Sequence, residues 1–409
     1  MSTSGRPAPI VATPRQRSYD VVIIGGAVIG SSTASFLANN PDFDGSVLVV
    51  ERDTTYARAS TTLTNSCMRQ QFSNQLNIRI SQFAADYVRN FRSYLGDDPE
   101  IPELTVDHFG YLFLSDSVEF ANTLRENQKI QAELGVGTRV LSPAEIAAEY
   151  PYLQLSDIVC GSLNLVDEGY FDSGTMFDWM RKSARQQGIE YVANEAAALA
   201  VTDDRVTQVQ LASGEIVSCG TAVNAAGPRA AIVARMAGLH LPVEPRRRYT
   251  FMFEAAERLE TRLPLTIDPS GVHVRPDGGA FMAGCAPDPD PAVDYDDFDM
   301  VDRDIWEELV WPTLASRIPA FERIKVKAKW VGHYAHNTVD HNVIIGPHHD
   351  VSNFIFANGF SGHGMQQSPA VGRGVSELIT YGEYRTLDMT PLGHERIVAS
   401  APFAETAII

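Results

Sequence analysis

The chain has 409 residues, enough for two domains and a sizeable core, and its 51 acidic against 33 basic side chains give a formal charge of −18. So acidic a surface repels nucleic acid and anionic membrane, and no apolar run approaches a membrane span. The four cysteines, Cys67, Cys160, Cys219 and Cys285, are scattered without a CxxC pair, which fits reduced thiols in a cytoplasmic protein and offers no metal site.

Residues 1–18 carry Arg6, Arg15 and Arg17 among three prolines, with no acid and no apolar signal core, and read as a disordered tail. Next, the β-branched run Val21, Val22, Ile23 and Ile24 predicts a buried parallel strand. It enters Gly25-Gly26-Ala27-Val28-Ile29-Gly30, small residues that let the chain turn sharply and start a helix whose free N–H groups face a pyrophosphate. A second strand over residues 47–50 ends in Glu51, about 20 residues beyond the turn, where a dinucleotide fingerprint places an acid for a ribose. Ala27 replaces the fingerprint's middle glycine, while Gly25 and Gly30 carry the turn and the packing.

The polar loop over residues 52–71, with Arg52, Ser60, Thr61, Thr62, Ser66, Cys67, Met68 and Arg69, is placed to hydrogen-bond pyrophosphate and ribityl oxygens, although its composition also suits a solvated connection. Apolar spacing predicts one amphipathic helix over residues 74–95. Further on come a strand at 109–114, a helix at 117–134, a capped helix start at Ser142-Pro143, and strand and loop over 161–171. A helix at 174–187 and short strands at 190–192, 197–202, 206–211 and 215–218 follow, with Ser213-Gly214 as a hairpin turn. A separate buried strand from residue 221 ends in Ala225, Ala226 and Gly227, small enough to let a ligand approach the sheet.

Strands are expected at 249–253, 271–274 and 280–283, an acidic loop at 287–299 and a helix at 302–316. Arg246, Arg247 and Arg248, the one basic cluster, read as a solvated turn. Finally, a strand at 354–357 leads through Asn358-Gly359-Phe360-Ser361-Gly362-His363-Gly364 into a helix at 366–381. Its free N–H groups, around Met365 and Gln366, suit an acceptor that gains charge, such as a reduced flavin ring.

With these segments in hand, the sequence resembles the D-amino acid oxidase and sarcosine oxidase superfamily of FAD enzymes over nearly its whole length, and within it the FAD-dependent oxidoreductase domain-containing branch. The likeness rests on Val49-Val50-Glu51-Arg52-Asp53, Met68-Arg69-Gln70-Gln71-Phe72, Asn337-Thr338-Val339-Asp340 and the Gly359 to Gly364 turn. It implies an α/β fold: a glutathione-reductase-like, Rossmann-type FAD-binding domain (19–105, 152–240, 328–399) with an inserted mixed-sheet α+β substrate domain (106–151, 241–327).

The resemblance also assigns roles. The family's carboxylate-binding arginine falls on Arg69, which a structural acid would otherwise pair. His273, with Arg275 two residues on and on the same sheet face, lies where relatives put a tyrosine or histidine over the substrate, unless both are partnered surface groups. His363 and Gln366 complete the reacting end, Gln366 standing where sarcosine oxidases have a lysine and Met282 where they have one near flavin N5. His333 takes the place of a flavin-linking cysteine, and with no cysteine expected near it, noncovalent FAD is favoured. The implied activity is oxidation of the carbon–nitrogen bond of a small carboxylate-bearing amine, with oxygen, a quinone or a protein as electron acceptor. A flavoprotein assembly factor, the role linked to this branch's mitochondrial member and respiratory complex I, and 2-hydroxy acid oxidation are the alternatives.

Overall fold

A computed structural model describes residues 9–300 and 304–406 of the chain. The strand Ser18–Ile24 is flanked on one side by Val47–Glu51 and then Glu190–Ala193, on the other by Ile216–Asn224 and then Phe354–Asn358, all parallel. Its side chains alternate between two apolar layers. Val21 and Ile23 join Val47 and Val49 on one face, while Val22 and Ile24 join Leu48 and Val50 on the other. A β-branched run with no polar alternation can be satisfied only by such two-sided burial. On the first face the helices Val28–Ala38 and Gly364–Tyr381 pack side by side, with the Ser32 hydroxyl donating to the Ser368 carbonyl at 2.7 Å. A Cβ on Gly372 would meet Ser32 Oγ at 2.1 Å, so this residue sets how closely the helices approach.

A second, mixed sheet runs in the order Ile324–Asn337, Val243–Ala255, Ala280–Cys285, His273–Asp277, Leu265–Ile267, Tyr111–Ser115, Cys160–Asn164, Arg139–Leu141. The two inserted segments merge where Leu265–Ile267 pairs in parallel with Tyr111–Ser115. This is the expected α/β architecture, a Rossmann-type parallel sheet with an inserted mixed sheet. Two strands cross the expected boundaries. Cys160–Asn164 pairs within the second sheet, past residue 151, and Ile324–Asn337 follows Val243–Ala255 over its full length, past residue 328.

Several local expectations are corrected. Residues 1–8 lie outside the described residues, but residues 9–17 are not a free tail: the Ala193 amide donates to the Val11 carbonyl at 2.8 Å and the Arg15 amide to Glu190 at 2.9 Å. The helix expected over 74–95 breaks at Asn90 into Gln75–Arg89 and Phe91–Tyr94, because the Asn90 side chain turns back onto Asp86 and competes with the helix ladder. The strands expected at 215–218 and from 221 are one, Ile216–Asn224, in which Gly220 passes so close that a Cβ would come 2.8 Å from the Asp20 carbonyl. Ser213-Gly214 does form the preceding hairpin turn, Gly214 at φ +101°. The basic cluster is no solvated turn: Arg246, Arg247 and Arg248 lie in the strand Val243–Ala255 and pair with Glu244, Asp297 and Asp290. Of the helix expected from residue 302, residues 302–303 fall outside the described range, and the visible part runs through Trp306–Val310 into Trp311–Arg317.

Candidate functional site: a cavity between the two sheets

The first turn is built from backbone. Gly25 takes φ +103°, and a Cβ there would sit 2.4 Å from the Ala225 carbonyl oxygen. One on Gly30 would lie 1.9 Å from the Gly25 carbonyl. Glu51 ties the turn to the second strand, accepting the Gly26 amide at 2.8 Å and the Asp53 amide at 2.8 Å. Its burial raises the carboxyl's pKa, which those amides oppose. Thr61 Oγ1 accepts the Val28 amide at 3.2 Å, which ties the polar loop to the first helix.

From this turn a cavity of about 570 Å³ runs to the second sheet and the last glycine turn. Of the expected residues, Gly25, Ala27, Val28 and Ile29 line it, as do Glu51, Arg52, Ser60, Thr61 and Cys67. Ala225, Ala226 and Gly227 line it beside the first turn and His333 lines it from the second sheet, and Phe360, Ser361, Gly362, His363, Gly364, Met365 and Gln366 close the far end with Arg69 and His273. Seven expected residues do not line it. Gly26 and Gly30 pack beneath the turn, Thr62 is exposed, Ser66 hydrogen-bonds Ser173 at 2.7 Å and Met68 is core. Arg275 pairs with Asp277 at 2.9 Å and packs on Tyr170 instead, while Met282 contacts Arg275 through its sulfur, away from the lining.

Arg69 is the best-defined polar group at the far end. It is 1% exposed, stacks 4.3 Å from the Phe72 ring centre and donates from its guanidinium to the Gln71 carbonyl and, at 2.8 Å, to His363 Nε2. Because a guanidinium only donates, His363 Nε2 must carry a lone pair. Burial first and Arg69 second hold the His363 pKa well below the usual histidine range, so the ring is neutral. Gln366 accepts the Arg69 amide at 2.8 Å, and Glu168 accepts the Gln70 and Gln71 amides at 2.6 and 2.9 Å. Desolvation pushes Glu168 up to about 7.

Opposite stands His273, whose Nε2 lies 3.0 Å from the Asn65 side-chain amide and whose pKa burial lowers to about 4. A Cβ on Gly284 would come 2.6 Å from that nitrogen, so the glycine makes the ring's seat. Sequence reasoning missed Arg248 and Tyr334, which both line the cavity. Arg248 pairs with Asp290 at 3.0 Å and stacks 4.5 Å from the Tyr334 ring centre; Tyr334 in turn fills the space that a side chain on Gly362 would need. Extending the expected 249–253 strand back by one residue would have found Arg248, since strand alternation puts it on the face of Thr250.

Two cysteines line the cavity, the expected Cys67 and also Cys285. Burial pushes their pKa values up to about 11 and about 12, which keeps them as un-ionised thiols and poor nucleophiles. His333 is engaged by the Asp297 carbonyl at 2.7 Å and stacks on Phe298 with ring centres 4.1 Å apart.

Comparison with known proteins gives this geometry a family. Residues 20–378 match the family profile described as FAD dependent oxidoreductase. The chain is 36% identical to "FAD-dependent oxidoreductase domain-containing protein 1" of Bos taurus, covering 97% of this chain and 88% of that protein. It is 25% identical to mitochondrial sarcosine dehydrogenase of Mus musculus, over 90% of this chain and 40% of the relative. Among solved structures, L-proline dehydrogenase from P. horikoshii superposes with a TM-score of 0.81 at 25% identity, covering 97% of this chain and all of that one, 100%.

The residues present fit the cofactor. Two helix starts face one continuous cavity, and at the first of them any side chain on Gly25 or Gly30 would collide with backbone. By sequence, by architecture and by this cradle, the chain belongs to the FAD dependent oxidoreductase family and takes FAD as its cofactor.

Proposed function

We propose that the protein oxidises the carbon–nitrogen bond of a small carboxylate-bearing amine. The observation that carries this reading is a pair of arginines, Arg69 and Arg248, at the sheet-covered end of a cavity that also holds two histidines kept neutral by burial. Both guanidinium charges act on Tyr334, over whose ring Arg248 stacks. In so acidic a chain, buried cations in one cavity recognise an anion. FAD, when bound, supplies the hydride acceptor.

The chain's own residues do the rest. Arg69, oriented by His363 and Gln366, holds the carboxylate in two hydrogen bonds and so fixes the adjacent carbon. Neutral His273 takes the amine proton at Nε2 once the substrate displaces the Asn65 side-chain amide from that nitrogen. Loss of that proton together with the hydride leaves an imine, which water hydrolyses. The N–H groups at the start of Gly364–Tyr381 stabilise charge that develops beside them. Two relatives support the reading by what their names say they act on: one is a sarcosine dehydrogenase, the other an L-proline dehydrogenase. The electron acceptor is dioxygen, a quinone or a protein.

The test is anaerobic addition of N-alkyl amino acids, D-amino acids and 2-hydroxy acids to the yellow protein. An amine should bleach the flavin absorbance in the wild type and fail to do so at the same concentration in Arg69→Ala. Bleaching by hydroxy acids alone would move the reaction to a carbon–oxygen bond. A flavin that no compound bleaches would leave a binding or assembly factor.

A further inference from the structure

His348 and His349 sit in the loop between the strands Ile344–Pro347 and Phe354–Asn358, and His394 stands just before the short helix Glu395–Val398. Among the described residues they are the one group of metal-ligating side chains whose donor atoms all lie within 4.8 Å of one another. None of the three lines the flavin cavity. The ring centres are 4.5 Å apart for His348 and His394, and 4.6 Å apart for His348 and His349. His348 and His394 are buried and His349 is exposed, so the cluster is rigid on two sides and open on the third.

We propose that His348, His349 and His394 form a site for a borderline divalent cation such as Zn²⁺, clipping the C-terminal helix to the loop at the edge of the parallel sheet. Three imidazoles with no thiolate select for zinc, copper, nickel or cobalt over magnesium or calcium. Each ring is differently prepared. His394 Nδ1 is buried with no hydrogen-bond partner, a donor atom that gains one by ligation. His349 Nε2 lies 2.9 Å from the Asp350 carboxylate, the outer-shell contact that orients a ligating imidazole and leaves its other nitrogen for a metal. His348 is the least prepared: its Nδ1 accepts the Asp350 amide at 3.1 Å, a bond that ligation would cost.

The spacing is open by about 0.7 Å. A cation equidistant from three donors 4.8 Å apart would lie about 2.8 Å from each, against about 2.0–2.1 Å for a zinc–imidazole bond. His349, on the exposed side, is free to swing inward. The site then closes around the ion, leaving a fourth position to water.

This inference is independent of the amine reading, and its test uses binding rather than turnover. The FAD-loaded protein is titrated with Zn²⁺ against a chromophoric chelator, in parallel with His349→Ala and His394→Asn. Visible flavin spectra confirm that each variant is folded. The expected result is one tightly bound Zn²⁺ per chain and a raised Tm in its presence, with no effect of Mg²⁺. Zn²⁺ affinity should fall by about tenfold or more in His349→Ala, whose exposed position leaves the fold unstrained. Failure of the wild type to bind one equivalent, or equal affinity in the wild type and His349→Ala, would overturn the site.

Discussion

Arg69 buries a cation against Phe72 and His363, and truncating such a group leaves a bound anion without its hydrogen-bonded partner. Arg69→Ala should weaken substrate binding by about 2–5 kcal/mol, read as a sharp rise in KM while bound FAD is retained. Arg248→Met separates the second cation: it should raise KM with a smaller change in kcat, because Arg248 shares its charge with Asp290. His273 makes a pH prediction. Its folded pKa, lowered from 6.5 to about 4 by burial, means that the unfolded chain binds the extra proton first. Stability from this group is therefore full above about pH 6.5 and declines as the pH falls toward about 4. Thermal unfolding across that window should show the decline in the wild type and a flatter profile in His273→Asn.

Among the elements, the glycine turn is the least tolerant. Gly30→Ala puts a methyl group within 1.9 Å of the Gly25 carbonyl, both on backbone that cannot yield, and the variant should purify without FAD or fail to fold. Gly372→Ala is the milder probe of the helix pair: its methyl meets Ser32, and the overpacking should cost about 1–3 kcal/mol by thermal unfolding without removing the cofactor. These elements were legible because local chemistry dictates them. A β-branched run and a turn that only small residues can make leave little choice of structure, so the strand, the turn and the second strand ending in Glu51 stand where the sequence pointed, with Glu51 accepting the Gly26 amide. Arg248 was not legible in the same way, because three consecutive arginines look like a solvated turn until the partners Asp290 and Asp297, more than forty positions on, are known to face them. Residues 9–17 were misread for the same reason, and the strand at Cys160–Asn164, expected as a strand, was grouped with the wrong sheet: in both cases the pairing partner is distant in sequence.

For the whole molecule, the cavity owes its shape to two sheets that share no strand, one supplying the dinucleotide turn and the other the roof with Arg248 and His273. Among the described residues no helix is long and apolar enough to cross a membrane. The strand Phe354–Asn358, which delivers the last glycine turn, finds its parallel neighbour in Ile216–Asn224, and that strand in turn lies beside Ser18–Ile24. Contacts so far apart along the chain form slowly. A polypeptide emerging from the ribosome therefore possesses a phosphate-facing turn long before the glycine turn at residues 359–364 that closes the far end, and full enclosure of the cofactor waits for that segment.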